Sequence, residues 1–132
     1  MRTHSLDYGW EVTFPESWTS ETDGNGKRLF YPVNDPTTVY ASSLHAEGQG
    51  KPAPVEVMMR AFMHTLPENA EEIPLIVGNL CCRAFFSADS EGVFRISAGF
   101  FAEGELLSLN VYSENKAAVW EVFEYFKSVT RR

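Results

Sequence analysis

The sequence has few of the residues that metal centres and nucleic-acid surfaces need. Its 132 residues include two cysteines and three histidines, and its 11 Lys and Arg against 18 Asp and Glu give a net charge of −7. A nucleic-acid partner is disfavoured, because neutralising phosphates takes clustered Lys and Arg. His4, His45 and His64 share no metal-ligand spacing with one another or with the cysteines. We therefore predict no nucleic-acid partner, no metal and no cofactor.

Long apolar runs are also missing. No stretch approaches the roughly 20 apolar residues of a membrane-spanning helix, and residues 1–20 lack the apolar segment of a signal peptide. We therefore predict no membrane partner and a cytoplasmic location, unless a leader has been removed. Cys81 and Cys82 are adjacent, and neighbours on a strand point to opposite faces. Both are predicted to be free thiols, which suits a reducing compartment.

The composition is sufficient for one folded domain. Hydrophobic residues make up 44% of the chain, which is close to the globular norm and argues against disorder. A chain of this length buries roughly two-thirds of the surface that its unfolded form exposes. We see no internal repeat, low-complexity tract or long linker, so we predict a single domain over residues 1–132.

Three strands and a helix are predicted for the first half of the chain. Aromatic and polar residues alternate over 8–14, which predicts a strand that a proline then stops. Further strands are predicted over 27–31 and 37–45, separated by turn residues. Apolar residues recur every three or four positions over 54–66, which predicts an amphipathic helix. Residues 68–72 are polar and acidic, and we predict that they form a connector.

A three-stranded meander and a helix are predicted for the second half. Residues 79–88, 93–102 and 107–111 alternate in polarity and are separated by short turns, which join only antiparallel neighbours. Ser113 is predicted to cap the final helix, because its oxygen can accept an N–H of the first turn. The apolar stripe of that helix extends to Val129.

The order β-β-β-α-β-β-β-α resembles that of the Mog1/PsbP-like superfamily. The resemblance also includes the aromatic first strand that runs into Pro15-x-x-Trp18, the phrase Phe30-Tyr31-Pro32 before the third strand, and the closing amphipathic helix. It implies an α+β fold with a central antiparallel sheet of about six strands and helices packed on it. Members of that superfamily are known as binding or assembly proteins rather than enzymes: a Ran-GTPase-binding factor, an extrinsic photosystem subunit and chaperones that load secreted effectors. No residues match a binding motif of these proteins, so no site is carried over.

No arrangement of residues indicates catalysis. Cys82 lies on an apolar strand face, and Cys81 has no histidine beside it to act as a base. Gly24-x-Gly26 lacks the strand-to-helix context of a phosphate-binding loop and is predicted to be a hairpin turn. We therefore predict that the protein is not an enzyme.

Aromatic residues give the better indication of function, because they make up 14% of the chain. Phe85, Phe101 and Arg83 point away from the apolar faces of their strands and are the candidate partner-binding residues. Either a helix covers this second sheet face or an exposed patch remains for a partner. The layered architecture implied by the resemblance favours cover. In that case the binding surface should be sought in the loops at 19–26 and 46–53.

These observations favour a small, non-catalytic, protein-binding domain of bacterial type whose partner is another protein. One alternative is a cytoplasmic immunity protein that blocks a toxin, or an effector-loading chaperone of a secretion system. Another is a small-ligand pocket protein or a minor hydrolase. The identity of the partner and the oligomeric state, a dimer included, stay open at this point.

Overall fold

The computed structural model describes residues 1–132. It contains twelve strands and two α-helices, with a short 3₁₀ turn at Asp7–Gly9 after the first strand. Neither helix has the length and apolar character needed to cross a lipid bilayer. In chain order the elements are β1 (Arg2–Ser5), β2 (Trp10–Phe14), β3 (Thr19–Thr22), β4 (Arg28–Tyr31), β5 (Thr38–His45), β6 (Glu47–Gly48), β7 (Lys51–Pro52), α1 (Val55–Met63), β8 (Glu71–Ile73), β9 (Cys81–Ala88), β10 (Phe94–Ala102), β11 (Glu105–Ser113), α2 (Lys116–Phe126) and β12 (Thr130–Arg131).

The central element is a seven-stranded sheet in the order β3-β4-β5-β11-β10-β9-β8. Every neighbouring pair of strands in it is antiparallel. β1, β2 and β12 form a separate three-stranded sheet, and β6 and β7 form a small hairpin. The predicted α+β class, with a central antiparallel sheet and helices packed on it, is confirmed. The sheet has one strand more than the six expected.

The predicted meander is confirmed as well. β9, β10 and β11 are consecutive antiparallel neighbours, and Ala98 of β10 lies between Ala84 of β9 and Leu109 of β11. These three side chains are buried on the same side of the sheet. The short turns therefore predicted the pairing, and the regular alternation of polarity predicted the face that is buried.

The first strand differs from the prediction over 8–14 in its start and in its partners. It begins at Trp10, because Tyr8 and Gly9 adopt left-handed backbone angles with φ of +62° and +84°. A side chain at Gly9 would also come within 3.1 Å of the carbonyl oxygen of Arg132. This strand, β2, pairs with β1 and β12 rather than with the central sheet, although Trp10, Val12 and Phe14 are buried in the main core as expected.

The main core lies between the central sheet and the layer formed by α2 and the three-stranded sheet. We call the sheet face that it covers the inner face. Apolar side chains of the central strands meet Trp10 and Phe14 of β2 and the apolar stripe of α2 there. The largest side chains that are fully buried in this core are Trp10, Phe14, Phe30, Phe100, Phe126, Ile96, Leu107 and Leu109.

The cap of α2 is Asn115 and not Ser113. The Asn115 Oδ1 accepts hydrogen bonds from the backbone N–H groups of Ala117 and Ala118, at 3.0 and 3.4 Å. The Ser113 hydroxyl accepts a bond from the N–H of Asn115 and another from the hydroxyl of Thr37. Ser113 therefore orients the capping residue one step before the helix, and Asn is an equally good N-cap residue.

The chain after α2 forms a strand rather than more helix. α2 ends at Phe126, three residues before the predicted limit of the apolar stripe at Val129. Val129 is nevertheless buried in the main core. Arg131 of β12 forms a salt bridge with Glu105 of β11, which ties the small sheet to the central one.

Three short elements lie where turns or connectors were predicted. β3 lies within the predicted loop 19–26 and forms one edge of the central sheet. The β6–β7 hairpin occupies the predicted loop 46–53, and its base is bonded through Ala46 and Ala53 to Gly104. β8 includes part of the predicted connector 68–72 and forms the other sheet edge. The connector prediction is therefore wrong for the residues of β8.

Candidate functional site

The central sheet has a second face, turned away from α2, which we call the outer face. α1 packs on this face against β10 and β11 and leaves the part above β4 and β5 open. The side chains beneath α1 form a second buried cluster that is separate from the main core. Its members are Met58, Phe62, Phe85, Phe101 and Leu106.

Two of the residues predicted to contact a partner belong to this covered cluster. Phe85 is 6% exposed and Phe101 is 3% exposed. The Phe62 ring of α1 packs on both, with ring centroids 6.2 Å and 5.6 Å apart. Their direction away from the inner face was predicted correctly. Their burial contradicts the exposed-patch alternative, since a helix covers this half of the outer face.

Gly99 of β10 allows α1 to lie this close to the sheet. A Cβ at Gly99 would lie 2.7 Å from Cζ of Phe101 and 2.9 Å from ring atoms of Phe62. Both distances are below 3.0 Å, which non-bonded contacts of a Cβ atom essentially never show, so only glycine fits without a shift of the helix or the rings.

Arg83 lies at the edge of the covered half and is held by an acidic partner. Its Nε and Nη2 donate to the two carboxylate oxygens of Glu72 on β8, at 2.9 and 2.7 Å. These hydrogen bonds lower the pKa of Glu72 and raise the pKa of Arg83. The guanidinium also lies 5.2 Å from the ring centroid of Phe85. Arg83 is therefore half-buried and paired within the chain, and its salt bridge connects β9 to the edge strand β8.

The uncovered half of the outer face is lined by polar and aromatic side chains of β5 and β11. The register of the two strands places Ser42 opposite Ser108, Tyr40 opposite Asn110 and Thr38 opposite Tyr112. Side chains at alternate positions share a face, so these six form one surface. We call this surface, together with the flanking basic residues, the open face. Its members are Lys27, Thr38, Tyr40, Ser42, Arg95, Ser108, Asn110 and Tyr112.

The open face is concave. A cavity of about 440 Å³ lies above Tyr40 and Tyr112, with Lys27 at its rim. A second cavity of about 270 Å³ shares Lys27 and Tyr112 with the first, and it extends to Arg95 and to Phe62 of α1. The two cavities therefore form one groove that runs from Lys27, just before β4, to the side of α1.

Arg95 of β10 is fixed in position on the floor of this groove. Its Nε donates to the Ser97 hydroxyl at 2.7 Å, and its Nη2 donates to Asn110 Oδ1 at 3.0 Å and to the Thr65 carbonyl at 3.3 Å. The guanidinium lies 5.4 Å from the ring centroid of Tyr112. All of these partners are uncharged, so the positive charge of Arg95 is oriented but not neutralised.

Two tyrosines form the aromatic part of the groove. The rings of Tyr40 and Tyr112 meet edge to face, with centroids 5.7 Å apart and planes at 85°. Both side chains are half-buried, and Tyr112 is clamped between Tyr40 and Arg95. Such rings offer a rigid apolar surface with a polar end, which is the chemistry that interfaces favour.

The side chains of possible catalytic or metal-binding type lie elsewhere. No three His, Cys, Asp or Glu side chains lie close enough together to hold a metal ion. Cys81 is exposed and Cys82 half-buried, both are free thiols, and burial raises the pKa of Cys82. His45 stacks on Tyr8 at the far end of β5, with centroids 5.4 Å apart.

The backbone is similar to that of solved structures. Cyanobacterial PsbP (CyanoP) from Synechocystis matches with a TM-score of 0.66 over 99% of this chain and 92% of that protein, at 11% identity. The chain has a PsbP-like fold. A protein from Bacteroides thetaiotaomicron matches with a TM-score of 0.62 over 94% of this chain, at 14% identity, and the chain spans 45% of its length. No family model and no curated protein matches the sequence.

In this PsbP-like fold, the open face was missed by reasoning from the sequence, although a signal was present. The apolar positions Leu107, Leu109 and Val111 were used to assign β11 to the core. The polar positions Ser108 and Asn110 between them indicated a polar outer face, on which Asn110 is half-buried and Ser108 is buried. The sequence pattern did not give the position of α1, because the apolar stripe of a helix does not show which part of a sheet the helix covers.

Proposed function

We propose that the protein is a small non-catalytic domain that binds another protein through the open face. The observation that carries the proposal is the groove beside α1, in which a fixed arginine and two packed tyrosines stand on a rigid sheet. Tyrosine and arginine are enriched among the residues that dominate binding energy at interfaces. Side chains already held in place lose little freedom on binding, which favours affinity.

The simplest competing explanation is that this face is only solvated. Antiparallel sheets often turn one polar face to water. A solvated face does not require a concave shape or an arginine with three side-chain and backbone acceptors. Both features are present around Arg95, and they support a binding role.

The test compares purified variants as baits in native host extract, with bound proteins identified by mass spectrometry. The baits are wild type, the double variant Tyr40→Ala/Tyr112→Ala and the control Trp120→Ala. Trp120 is an exposed aromatic residue on α2, on the other side of the molecule. We expect a partner that wild type and the control retain, and that the double variant binds at least about thirtyfold more weakly, since loss of an anchor costs roughly 2 kcal/mol or more.

Two outcomes would contradict this assignment. One is a partner that all three baits hold equally. The other is a partner that only Trp120→Ala loses, which would move the binding surface to α2. Melting curves of each bait show whether the double variant is folded, because half-buried tyrosines also contribute to stability.

A small polar ligand is the second candidate, and the size of the groove favours it. Ligand pockets commonly measure about 300–1,000 Å³, and the larger cavity lies within that range. Native mass spectrometry of gently purified protein distinguishes the two functions. A bound small molecule at one-to-one stoichiometry would support the ligand-binding function, and the Tyr40→Ala/Tyr112→Ala variant should lose that mass.

The absence of catalysis is part of the proposal and has its own test. A panel of esterase, phosphatase and nuclease substrates should give no turnover above the background of the buffer. Reproducible turnover that a single Cys81→Ala or His45→Ala substitution abolishes would contradict it. The immunity-protein and chaperone alternatives are both protein-binding functions, and the identity of the captured partner separates them.

A further inference from the structure

We infer that the open face recognises an acidic peptide segment of its partner, with carboxylates bound by Arg95 and Lys27. The inference deepens the proposed function and rests on it.

Arg95 has the geometry of an anchored arginine with donors to spare. Its Nε and Nη2 are engaged by Ser97, Asn110 and Thr65, which fixes the plane of the guanidinium. Its Nη1 carries two further N–H groups, and none of the hydrogen bonds of the chain uses them. A guanidinium binds planar carboxylates through neighbouring N–H groups, and one that is already oriented loses little freedom when it does so.

The walls of the groove are positive although the whole chain is negative. Lys27 is exposed at the rim and Arg95 lies on the floor, on opposite sides of β5 and β11. The side chains lining the two connected cavities include no Asp or Glu. Neither Lys27 nor Arg95 belongs to any of the salt bridges of the chain.

Two acidic side chains, Asp89 of the turn before β10 and Glu21 of the edge strand β3, are engaged in hydrogen bonds within the chain. Asp89 lines an adjoining cavity of about 120 Å³ that shares Arg95 and Tyr112 with the groove, and it forms no salt bridge with Arg95. Its Oδ1 accepts the backbone N–H groups of Glu91 and Val93, at 2.8 and 3.0 Å. Glu21 on β3 accepts the Tyr31 hydroxyl at 2.9 Å and lines neither cavity.

The net charge of −7 does not prevent an acidic segment from binding here. At physiological ionic strength, charges further apart than about 8 Å are largely screened. A carboxylate inside the groove is therefore influenced mainly by the charged groups that line or adjoin it, which are Arg95, Lys27 and, in the cavity next to Arg95, Asp89. The negative remainder of the surface slows the approach of a partner that is acidic throughout, which favours a partner with a short acidic segment.

The test uses two synthetic peptides that differ only in charge. The probe is Glu-Thr-Glu-Thr-Glu-Thr, acetylated and amidated so that its only charges are side-chain carboxylates, and the control is its Gln counterpart. Each is titrated into the ¹⁵N-labelled full chain and followed by NMR. We expect the acidic peptide to shift the amides around Tyr40, Asn110 and Tyr112, and to bind at least about tenfold more tightly than the control, the size of one charge-assisted hydrogen bond.

Three variants assign the charge dependence to residues. Arg95→Gln should weaken binding of the acidic peptide by about tenfold or more, and Lys27→Gln by a smaller factor because that side chain is exposed. Arg83→Gln is the matched control, since it removes an arginine of the same outer face that lies outside the groove, and it should leave the affinity unchanged. If Arg95→Gln fails to fold, Lys27→Gln still tests the charge dependence of binding. The Lys27 side chain makes no hydrogen bond or salt bridge within the chain, so we expect this variant to fold.

Three results would overturn the inference. The first is equal binding of the two peptides. The second is loss of binding in Arg83→Gln but not in Arg95→Gln and Lys27→Gln. The third is inorganic phosphate moving the same amides at a lower concentration than the peptide, which would assign the site to phosphate instead. Equal binding of both peptides at the open face would contradict this inference only. The proposed function is tested separately, by the pull-down with the tyrosine variants.

Discussion

At the scale of single residues, Trp10 is a large, fully buried side chain with one polar atom that has no hydrogen-bond partner. Its side chain is fully buried and its ring packs on Phe100, with centroids 6.4 Å apart. The Arg131 guanidinium lies 5.4 Å from the Trp10 ring. Its indole N–H, however, has no hydrogen-bond acceptor. The apolar area of the ring is therefore stabilising, while its one polar atom is not.

Substitutions at Trp10 should separate these two contributions. Trp10→Ala should reduce the free energy of unfolding by roughly 3–5 kcal/mol, through lost burial and a cavity, and lower the melting temperature by roughly 10–20 °C. Trp10→Phe keeps most of the apolar area and removes the unpaired N–H, so its loss should be less than half as large. Chemical denaturation of both variants measures this. A loss in Trp10→Phe as large as that in Trp10→Ala would contradict the view that the apolar area of the ring is what stabilises the fold.

His4 should make the stability of the fold depend on pH. It is buried against the rings of Phe14 and Phe30, and burial, with the nearby charges of Arg2 and Arg28, lowers its pKa below the usual 6.5. Between the folded pKa of His4 and 6.5, the unfolded chain binds more protons than the folded one. The contribution of His4 to stability is therefore fully present above pH 6.5 and is lost as the pH falls through the folded pKa.

The measurement is the free energy of unfolding from about pH 7 down to about pH 5, the range that brackets the usual histidine pKa. His4→Gln should flatten this dependence relative to wild type. His64→Gln, at an exposed position that ends α1, serves as the control and should keep the wild-type slope. A slope that His4→Gln leaves unchanged would show that other groups titrate in this range.

At the scale of elements, α1 divides the outer face into a buried and an open half, and its distance from the sheet depends on Gly99. Gly99→Ala would force its new methyl group against Phe62 and Phe101. Overpacking of this kind should destabilise the protein by about 1–3 kcal/mol, measured by chemical denaturation. Gly24→Ala is the matched control, because a methyl group at Gly24 would have no atom within 4 Å of it. A neutral Gly99→Ala would mean that α1 shifts easily.

The elements predicted from the sequence are those in which a periodic hydrophobic pattern extends over many residues. The helices α1 and α2 each contain several turns of apolar recurrence, and each strand of the meander contains several alternating positions, which is enough to assign them. β3, β8 and β12 have two to four residues each, and their extended state depends on pairing with β4, β9 and β2. No local pattern reports such pairing. For the same reason the alternation in β2 predicted its buried face correctly but could not reveal that its partners are β1 and β12.

The site was predicted only in part, and the reason lies in tertiary packing. The outward direction of Phe85 and Phe101 followed from strand alternation. Their exposure depended on where α1 rests, which is decided by contacts between residues far apart in the chain, such as Phe62 with Phe101. The groove around Arg95 lies on the part of the outer face that α1 leaves uncovered, so it could not be located before the position of α1 was known.

At the scale of the whole molecule, two buried clusters share one sheet. β10 and β11 lie at the centre of the strand order, with the main core on one side and α1 on the other. The β6–β7 hairpin and β12 lie at the periphery and have exposed side chains. This arrangement predicts a gradient of local stability from the centre to the edges.

Native-state hydrogen exchange should display that gradient. Amides of β10 and β11 should exchange only by global unfolding, with protection on the order of 5–15 kcal/mol, while those of β6, β7 and β12 should open with little free energy. Exchange in β11 as fast as in the hairpin would contradict the predicted gradient of local stability.

The distribution of tryptophans has a practical consequence for optical studies. Trp10 and Trp18 lie in or against the main core, and Trp120 stacks on Phe86 beside α2, so all three are on the inner side of the sheet. The aromatic side chains of the open face are Tyr40 and Tyr112, and it has no tryptophan. Tryptophan emission therefore monitors folding of the inner layer, and occupancy of the groove should leave it nearly unchanged while altering the near-ultraviolet signal of the tyrosines. One sample can thus report folding and binding as two separate signals.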